Sequence, residues 1–246
     1  MNELASRTAL VTGGSRGIGA AIALALAAKG ADVAITYNTS ADAAARIVEE
    51  IKDRGGRGLA IQADSADPVA ITTAVATTVE TLGALDILVN NAAAFDFAPL
   101  DQLTAEAVNR TLAVNVRAPL LAAQAALPHL REGGRIITIG SNVADRAVFP
   151  GFALYSMSKS ALTGLTKALA RELGPRGITA NLVSPGPTHT DAAPTDPAFV
   201  EAINAFTALG RFATPEEIAA VVAFLATPSA QYVTGATINA DGGFTA

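Results

Sequence analysis

A doubly wound α/β domain, with a seven-stranded parallel sheet and helices on both faces, is the fold class this sequence predicts. Three observations carry that prediction. Short apolar runs alternate with longer helix-forming stretches almost from end to end, which is the rhythm of βαβ units. A glycine-rich turn lies directly between the first apolar run and the first helix. The 246 residues are 50% hydrophobic and only 16% charged, which suits one large core without long disordered segments. Residues 1–246 therefore read as a single domain.

Taken in order, the strands are Thr8–Thr12, Asp32–Thr36, Gly58–Gln62, Ile87–Asn90, Arg135–Ile139, Thr179–Val183 and Ala236–Ile238, short and apolar as strands covered on both faces must be. Helix-forming composition fills Gly17–Lys29, Ala41–Arg54, Pro68–Leu82, Thr104–Leu130, Phe152–Gly174 and Pro215–Ala226, several of them opened by Thr, Asp or Pro. The stretch Thr188–Thr214 breaks the rhythm, because Pro194 and Pro197 interrupt it before a short helical piece near Phe199–Leu209. Long loops in compact domains usually serve function, so 188–214 reads as a substrate-binding lid.

Composition excludes several classes. Seventeen Lys and Arg stand against 22 Asp and Glu, a net charge of -5, and no basic run could follow a phosphodiester backbone, so nucleic acid is not an expected partner. Without cysteine there is no disulfide and no thiolate nucleophile, and two histidines argue against a His-rich metal site. The longest apolar run, Ile18–Ala28, is about half of what spans a bilayer. Met1-Asn2-Glu3 lacks a basic region before an apolar stretch. The expectation is a soluble cytoplasmic protein without membrane association.

After the first strand comes Thr12-Gly13-Gly14-Ser15-Arg16-Gly17-Ile18-Gly19. Glycines permit a tight turn and close approach to a pyrophosphate, and the helix that follows offers free N–H groups and a partial positive charge. The spacing is G-x-x-x-G-x-G, distinct from the common G-x-G-x-x-G fingerprint. In such sheets ligands bind beyond the carboxyl ends of the strands, where strand order reverses. The second strand runs into Tyr37-Asn38-Thr39-Ser40, with no carboxylate before Asp42. An acidic residue there would bond an unphosphorylated ribose and repel a 2′-phosphate. Arg16 with the neutral donors Asn38, Thr39 and Ser40 therefore predicts NADP(H).

Tyr155 and Lys159 are four apart, on one face of a helix. A phenol with a pKa of about 10 is a poor base near neutrality. A cation roughly 4 Å away favours the phenolate by about 4 kcal/mol at most at intermediate dielectric, which is up to about three pKa units. The pair thus reads as a proton-transfer device. Ser141, just past the end of the fifth strand, is the candidate donor for polarising a carbonyl oxygen, and the Pro185-Gly186 turn after the sixth strand reaches the same edge.

These residues resemble the short-chain dehydrogenases/reductases, in the NADP(H)-preferring subgroup of about this chain length. The matching pieces are Thr12–Gly19, Asp64, Leu85-Asp86 through Asn90-Asn91-Ala92, Asn115, Ser141, Tyr155 with Lys159, Pro185–Thr190, and Val233 to Gly243 at the end. The resemblance covers essentially the whole chain and implies a Rossmann fold that interconverts a carbonyl and an alcohol. It implies Tyr155 as acid/base, Lys159 holding the nicotinamide ribose and lowering the phenol's pKa, Ser141 positioning the substrate oxygen, and Asn115 holding a proton-relay water. It further implies Asp64, beside Ser65, at the adenine, Asn90 and Ala92 at the adenosine-side ribose, and Thr188 at the carboxamide. Tetramers are the family's usual state, and the helices Thr104–Leu130 and Phe152–Gly174 offer apolar faces for pairing. Ala93 departs from the family's usual glycine, with cofactor binding expected to survive.

Small ketones and secondary alcohols are the expected substrates. A 3-oxoacyl-carrier-protein reductase is the alternative, since Arg176 matches one docking position, although Glu132 with Arg131 beside it stands at the other. A dinucleotide sensor or scaffold without chemistry is the alternative of another class, and the intact set of four speaks against it. Asp96 reads as a solvated loop acid, His189 as a solvent-facing loop residue, and His129 as complementing a helix C-terminus.

Overall fold

The computed structural model describes residues 2–191 and 193–246; Met1 and Ala192, the latter within the expected lid, lie outside them. Among the described residues seven strands form one parallel sheet: β1 (Thr8–Val11), β2 (Asp32–Tyr37), β3 (Gly58–Gln62), β4 (Ile87–Asn90), β5 (Arg135–Ile139), β6 (Thr179–Pro185) and β7 (Thr237–Ala240), in the order β3-β2-β1-β4-β5-β6-β7. The expected strands are all present, with ends moved by a residue or two. Parallel pairing carries β6 through Pro185, opposite Ala240. The outer strands β3 and β7 are only half-buried, because each has a neighbour on one side alone.

Order reverses between β1 and β4, and the crevice above their carboxyl ends is where such sheets bind ligands. One face is covered by α1 (Gly17–Ala28), α2 (Ala41–Asp53) and α8 (Pro215–Ala226), with Ile22, Leu26, Ile51 and Val222 packed on Val33, Ile35 and Val89. The other face is covered by α3 (Pro68–Leu82), α5 (Ala118–Ala126) and α6 (Ala153–Leu173), with Ile71, Ala122, Ala126 and Leu173 on Leu10, Leu88 and Ile136.

The stretch expected as one helix over Thr104–Leu130 is instead α4 (Ala105–Leu112), a π-helical turn (Ala113–Arg117) and α5, followed by turns. Pro119 supplies the reason. It lacks an N–H, so the carbonyl of Asn115, four residues earlier, receives no α-helical donor from that position, and the helix widens by one residue there. The helix expected near Phe199–Leu209 is α7 (Pro197–Asn204), started earlier by Pro197 at its first position and by the Asp196 carboxylate accepting from the Phe199 N–H at 2.9 Å.

Candidate active site

Two adjoining cavities open at the switch point. The larger, about 610 Å³, runs over the glycine turn, the end of β2 and the loop after β3. Gly13 and Gly17 take φ of +65° and +53°, which a side chain would strain. A Cβ on Gly19 would lie 2.3 Å from the Gly13 carbonyl oxygen and 2.4 Å from Asn91 Nδ2, so only glycine lets α1 begin this close to the loop. The N-terminal N–H groups of α1 have no side-chain cap, leaving them for an anion. Gly13, Ser15, Arg16, Gly17, Ile18, Gly19, Tyr37, Asn38, Thr39, Ser40, Asp64, Ser65 and Ala92 all line this groove. No carboxylate stands at the end of β2, so the walls fit a dinucleotide with a phosphorylated adenosine ribose.

Asn90 does not line the groove. As the last strand residue it pairs with Thr138, is 4% exposed, and turns its amide toward Thr138 Oγ1 at 3.5 Å. Its neighbour Asn91 lines both cavities instead, and donates to the carbonyls of Thr12 and Gly13 at 2.9 and 3.1 Å. The strand's two-residue period was the signal that separates the two asparagines. Ala93 also lines both, at the junction where the family has glycine.

The second cavity, about 360 Å³, is mostly apolar, and Ser141, Tyr155 and Lys159 lie in its wall with Pro185, Gly186 and Thr188. Two hydroxyls of α6 hold the helix to the turn after β5: Ser156 Oγ donates to the Val143 carbonyl at 2.6 Å and Ser160 Oγ to that of Ala144 at 3.1 Å. Ser141 and Tyr155 thereby come together in the wall of one cavity. Lys159 Nζ donates to the Ile139 carbonyl at 2.9 Å and lies 5.6 Å from the centre of the Tyr155 ring.

The expectation that Lys159 holds the phenol below its ordinary value is not met by these groups on their own. Burial pushes Tyr155 up to about 12, only partly offset by the Ser141 hydrogen bond. Burial likewise brings Lys159 down to about 8. The ammonium itself is turned to the Ile139 backbone carbonyl. The phenol is accordingly protonated at neutral pH, which is the form that donates a proton.

Asn115 is buried at the π-helical turn and lines neither cavity. Its side-chain amide is fully engaged, accepting from the Ala94 N–H at 2.8 Å and donating to the Ala94 carbonyl and Ser158 Oγ at 2.9 Å each. Any relay through this residue falls to its backbone carbonyl.

Asp96 is not the solvated acid expected and lines neither cavity: it is half-buried and accepts from Thr111 Oγ1 at 2.6 Å. Arg176 donates to the Leu127 and Leu130 carbonyls at 3.1 and 2.7 Å, so its cation already satisfies the chain end after α5. His189 is exposed with its ring on Phe212 at 5.1 Å, and His129 is exposed in the turns beyond α5 rather than on the helix. The aromatic wall of the second cavity includes Phe212 and Phe244, from segments far apart in the chain that no local pattern connects.

Comparison with known proteins agrees with this geometry. A family model described as enoyl-(acyl carrier protein) reductase matches residues 13–245. The crystal structure of a short chain dehydrogenase from Burkholderia cenocepacia in complex with NADP is 52% identical, with a TM-score of 0.97 over 99% of this chain and 100% of that one. The angucycline C-6 ketoreductase LanV with bound NADP is 40% identical, with a TM-score of 0.94 over 99% of this chain and 97% of that one. The cyclic-di-GMP-binding biofilm dispersal mediator protein of Escherichia coli is 44% identical, with 99% of each chain covered.

Proposed function

Because this chain belongs to the short-chain dehydrogenase/reductase family and is an NADP-dependent oxidoreductase, we propose that it interconverts ketones and secondary alcohols, favouring ketones that carry an aromatic or other flat apolar ring. One observation supports this above the rest: Tyr155, Ser141 and Lys159 converge in the wall of an apolar cavity that shares Ile18, Asn91, Ala93 and Thr190 with the dinucleotide groove. Phe95, Phe149 and Phe152 line that cavity, which at about 360 Å³ suits a small ring system.

Bound NADPH supplies the hydride. Ser141 holds the ketone oxygen by donating its hydroxyl hydrogen, polarising the carbonyl as negative charge develops there. Tyr155 then gives its phenolic proton to that oxygen, leaving a phenolate, and takes a proton back in the opposite direction. Lys159, fixed on Ile139, stands close enough to stabilise the phenolate once it forms. The Asn115 backbone carbonyl, which Pro119 leaves without its α-helical donor, holds a relay water by accepting its hydrogen bond, and that water, drawing on solvent, returns a proton to Tyr155.

Residues 188–214 act as the lid, with Thr190, Pro194, Ile203 and Phe212 facing the cavity. The engagement of Arg176 with Leu127 and Leu130 speaks against carrier-protein docking there. We place the enzyme in the cytoplasm as a homotetramer, for which exposed Leu120 on α5 and Met157 on α6 supply apolar pairing surface. Light scattering coupled to size exclusion tests the assembly. For the chemistry, Tyr155→Phe should cut turnover by roughly 10²–10⁴ while NADPH affinity stays within about twofold. Undiminished turnover would remove Tyr155 from the mechanism, and absence of wild-type turnover across a carbonyl panel would favour a sensor.

A further inference from the structure

The loop after β4 carries Ala94, Phe95, Asp96, Phe97 and Ala98, and every second residue of it is fastened from behind. Ala94 is held by both its N–H and its carbonyl on the Asn115 amide, at 2.8 and 2.9 Å. Asp96 accepts the Thr111 hydroxyl at 2.6 Å, from a threonine on α4 that is wholly buried. Ala98 donates its N–H to the Gly151 carbonyl at 3.3 Å. Exposure alternates along the segment: Ala94 is buried, Asp96 and Ala98 are half-buried, and Phe95 and Phe97 between them are turned outward. Both are about half-exposed, at 52% each. Phe95 meets the Tyr155 ring edge-on, with centroids 4.8 Å apart and an angle of 82°, and Phe97 meets Phe152 at 5.2 Å and 73°. Gly151 leaves room for Phe97, since a Cβ there would come within 2.8 Å of that ring.

We propose that Asp96 and Thr111 form a positioning pair that sets the phase of this loop and so determines specificity for ring-bearing ketones. The inference rests on the ketone reading above. Of the three fastenings, the Asp96–Thr111 bond is made by two side chains, neither of which lines the cavity or touches the reacting atoms. It therefore acts only through Phe95 and Phe97. Without it the strip can rotate, the edge-on contact of Phe95 with Tyr155 loosens, and a flat substrate loses one wall of its slot, while a small aliphatic ketone loses little.

The test compares wild type with Thr111→Val, Thr111→Ser, Asp96→Ala and Asp96→Asn, using acetophenone and acetone with saturating NADPH. Thr111→Val and Asp96→Ala should raise KM for acetophenone by roughly three- to tenfold, the scale of one aromatic edge contact. Values of kcat for both ketones and KM for acetone should stay within about twofold of wild type, well inside the tenfold that 1.4 kcal/mol represents. Thr111→Ser keeps the donor and Asp96→Asn keeps an acceptor oxygen, so both should restore wild-type KM. Equal losses on both ketones, or no rescue, would overturn the pair's role in specificity. A second readout is independent of turnover: fluorine NMR of protein labelled with fluorotyrosine, which has three tyrosines. The Tyr155 line should shift in Thr111→Val and return in Thr111→Ser. An unmoved line would refute the positioning even if no ketone were turned over, whereas a shift without turnover would fault the ketone reading alone.

Discussion

Replacing Arg16 by alanine should separate the two nicotinamide cofactors. Arg16 is exposed at the mouth of the dinucleotide groove, immediately before the first turn of α1, and the facing wall from the end of β2 is Tyr37 to Ser40 with no carboxylate. A 2′-phosphate carries about -1.5 to -2 charges near neutrality. A charge-assisted hydrogen bond contributes about 1.5–3 kcal/mol, and solvent at this exposed position favours the lower part of that range. At about 1.4 kcal/mol per decade, kcat/KM for NADPH should fall by roughly ten- to a hundredfold in Arg16→Ala. NADH presents a hydroxyl at the same place, so its kcat/KM should change by less than about threefold. Arg16→Lys, which keeps the charge and loses the planar fork, should fall between. Initial rates with each cofactor at fixed ketone give the comparison. Equal loss with NADPH and NADH would mean that Arg16 shapes the turn rather than reading the phosphate.

The other predictions concern the turn, the buried lysine and a helix cap. Gly19→Ala should fold but fail to bind NADPH by isothermal titration, because its Cβ would overlap the Gly13 carbonyl at 2.3 Å; retained affinity would show that the loop yields. Lys159 titrates near 8 in the fold against 10.5 ordinarily, so the unfolded chain binds more protons between those values. Stability measured in urea should therefore rise with pH from about 8 to 10 relative to Lys159→Met, and a flat difference would contradict the burial argument. Thr214 closes a capping box on α8, accepting from the Glu217 N–H while Glu217 Oε2 accepts from the Thr214 N–H at 2.8 Å. Thr214→Ala should cost about 1 kcal/mol, a Tm loss of roughly 2–4 °C at this chain length, with kcat unchanged; a loss of activity instead would tie α8 to the site.

Much of the site was written locally. The glycine turn is legible because Gly13, Gly17 and Gly19 answer to backbone angles and a single close approach. Lys159 follows Tyr155 by one helical turn, so their joint placement needs only that α6 form. That Asn91 lines the groove and Asn90 does not was hidden from the sequence, because it depends on which face the last residue of β4 presents, and that is set by pairing with Thr138 on β5. The break in the long helix had a sign in Pro119, whose missing N–H acts on Asn115 four residues earlier.

The alternation of apolar runs and helical stretches, the neutral end of β2 and the spacing of Ser141, Tyr155 and Lys159 determined the fold, the cofactor and which side chains share a cavity wall. Those features depend on periods of two and 3.6 residues and on turn geometry, which act within one element or its immediate neighbours. The tertiary structure alone decided that burial pushes the Tyr155 phenol up, that Asn115 spends its amide on Ala94, and that Asp96 meets Thr111 while Phe95 meets the Tyr155 ring. Desolvation and cavity shape are properties of everything that packs around an atom, and those neighbours come from segments that meet only when the sheet closes.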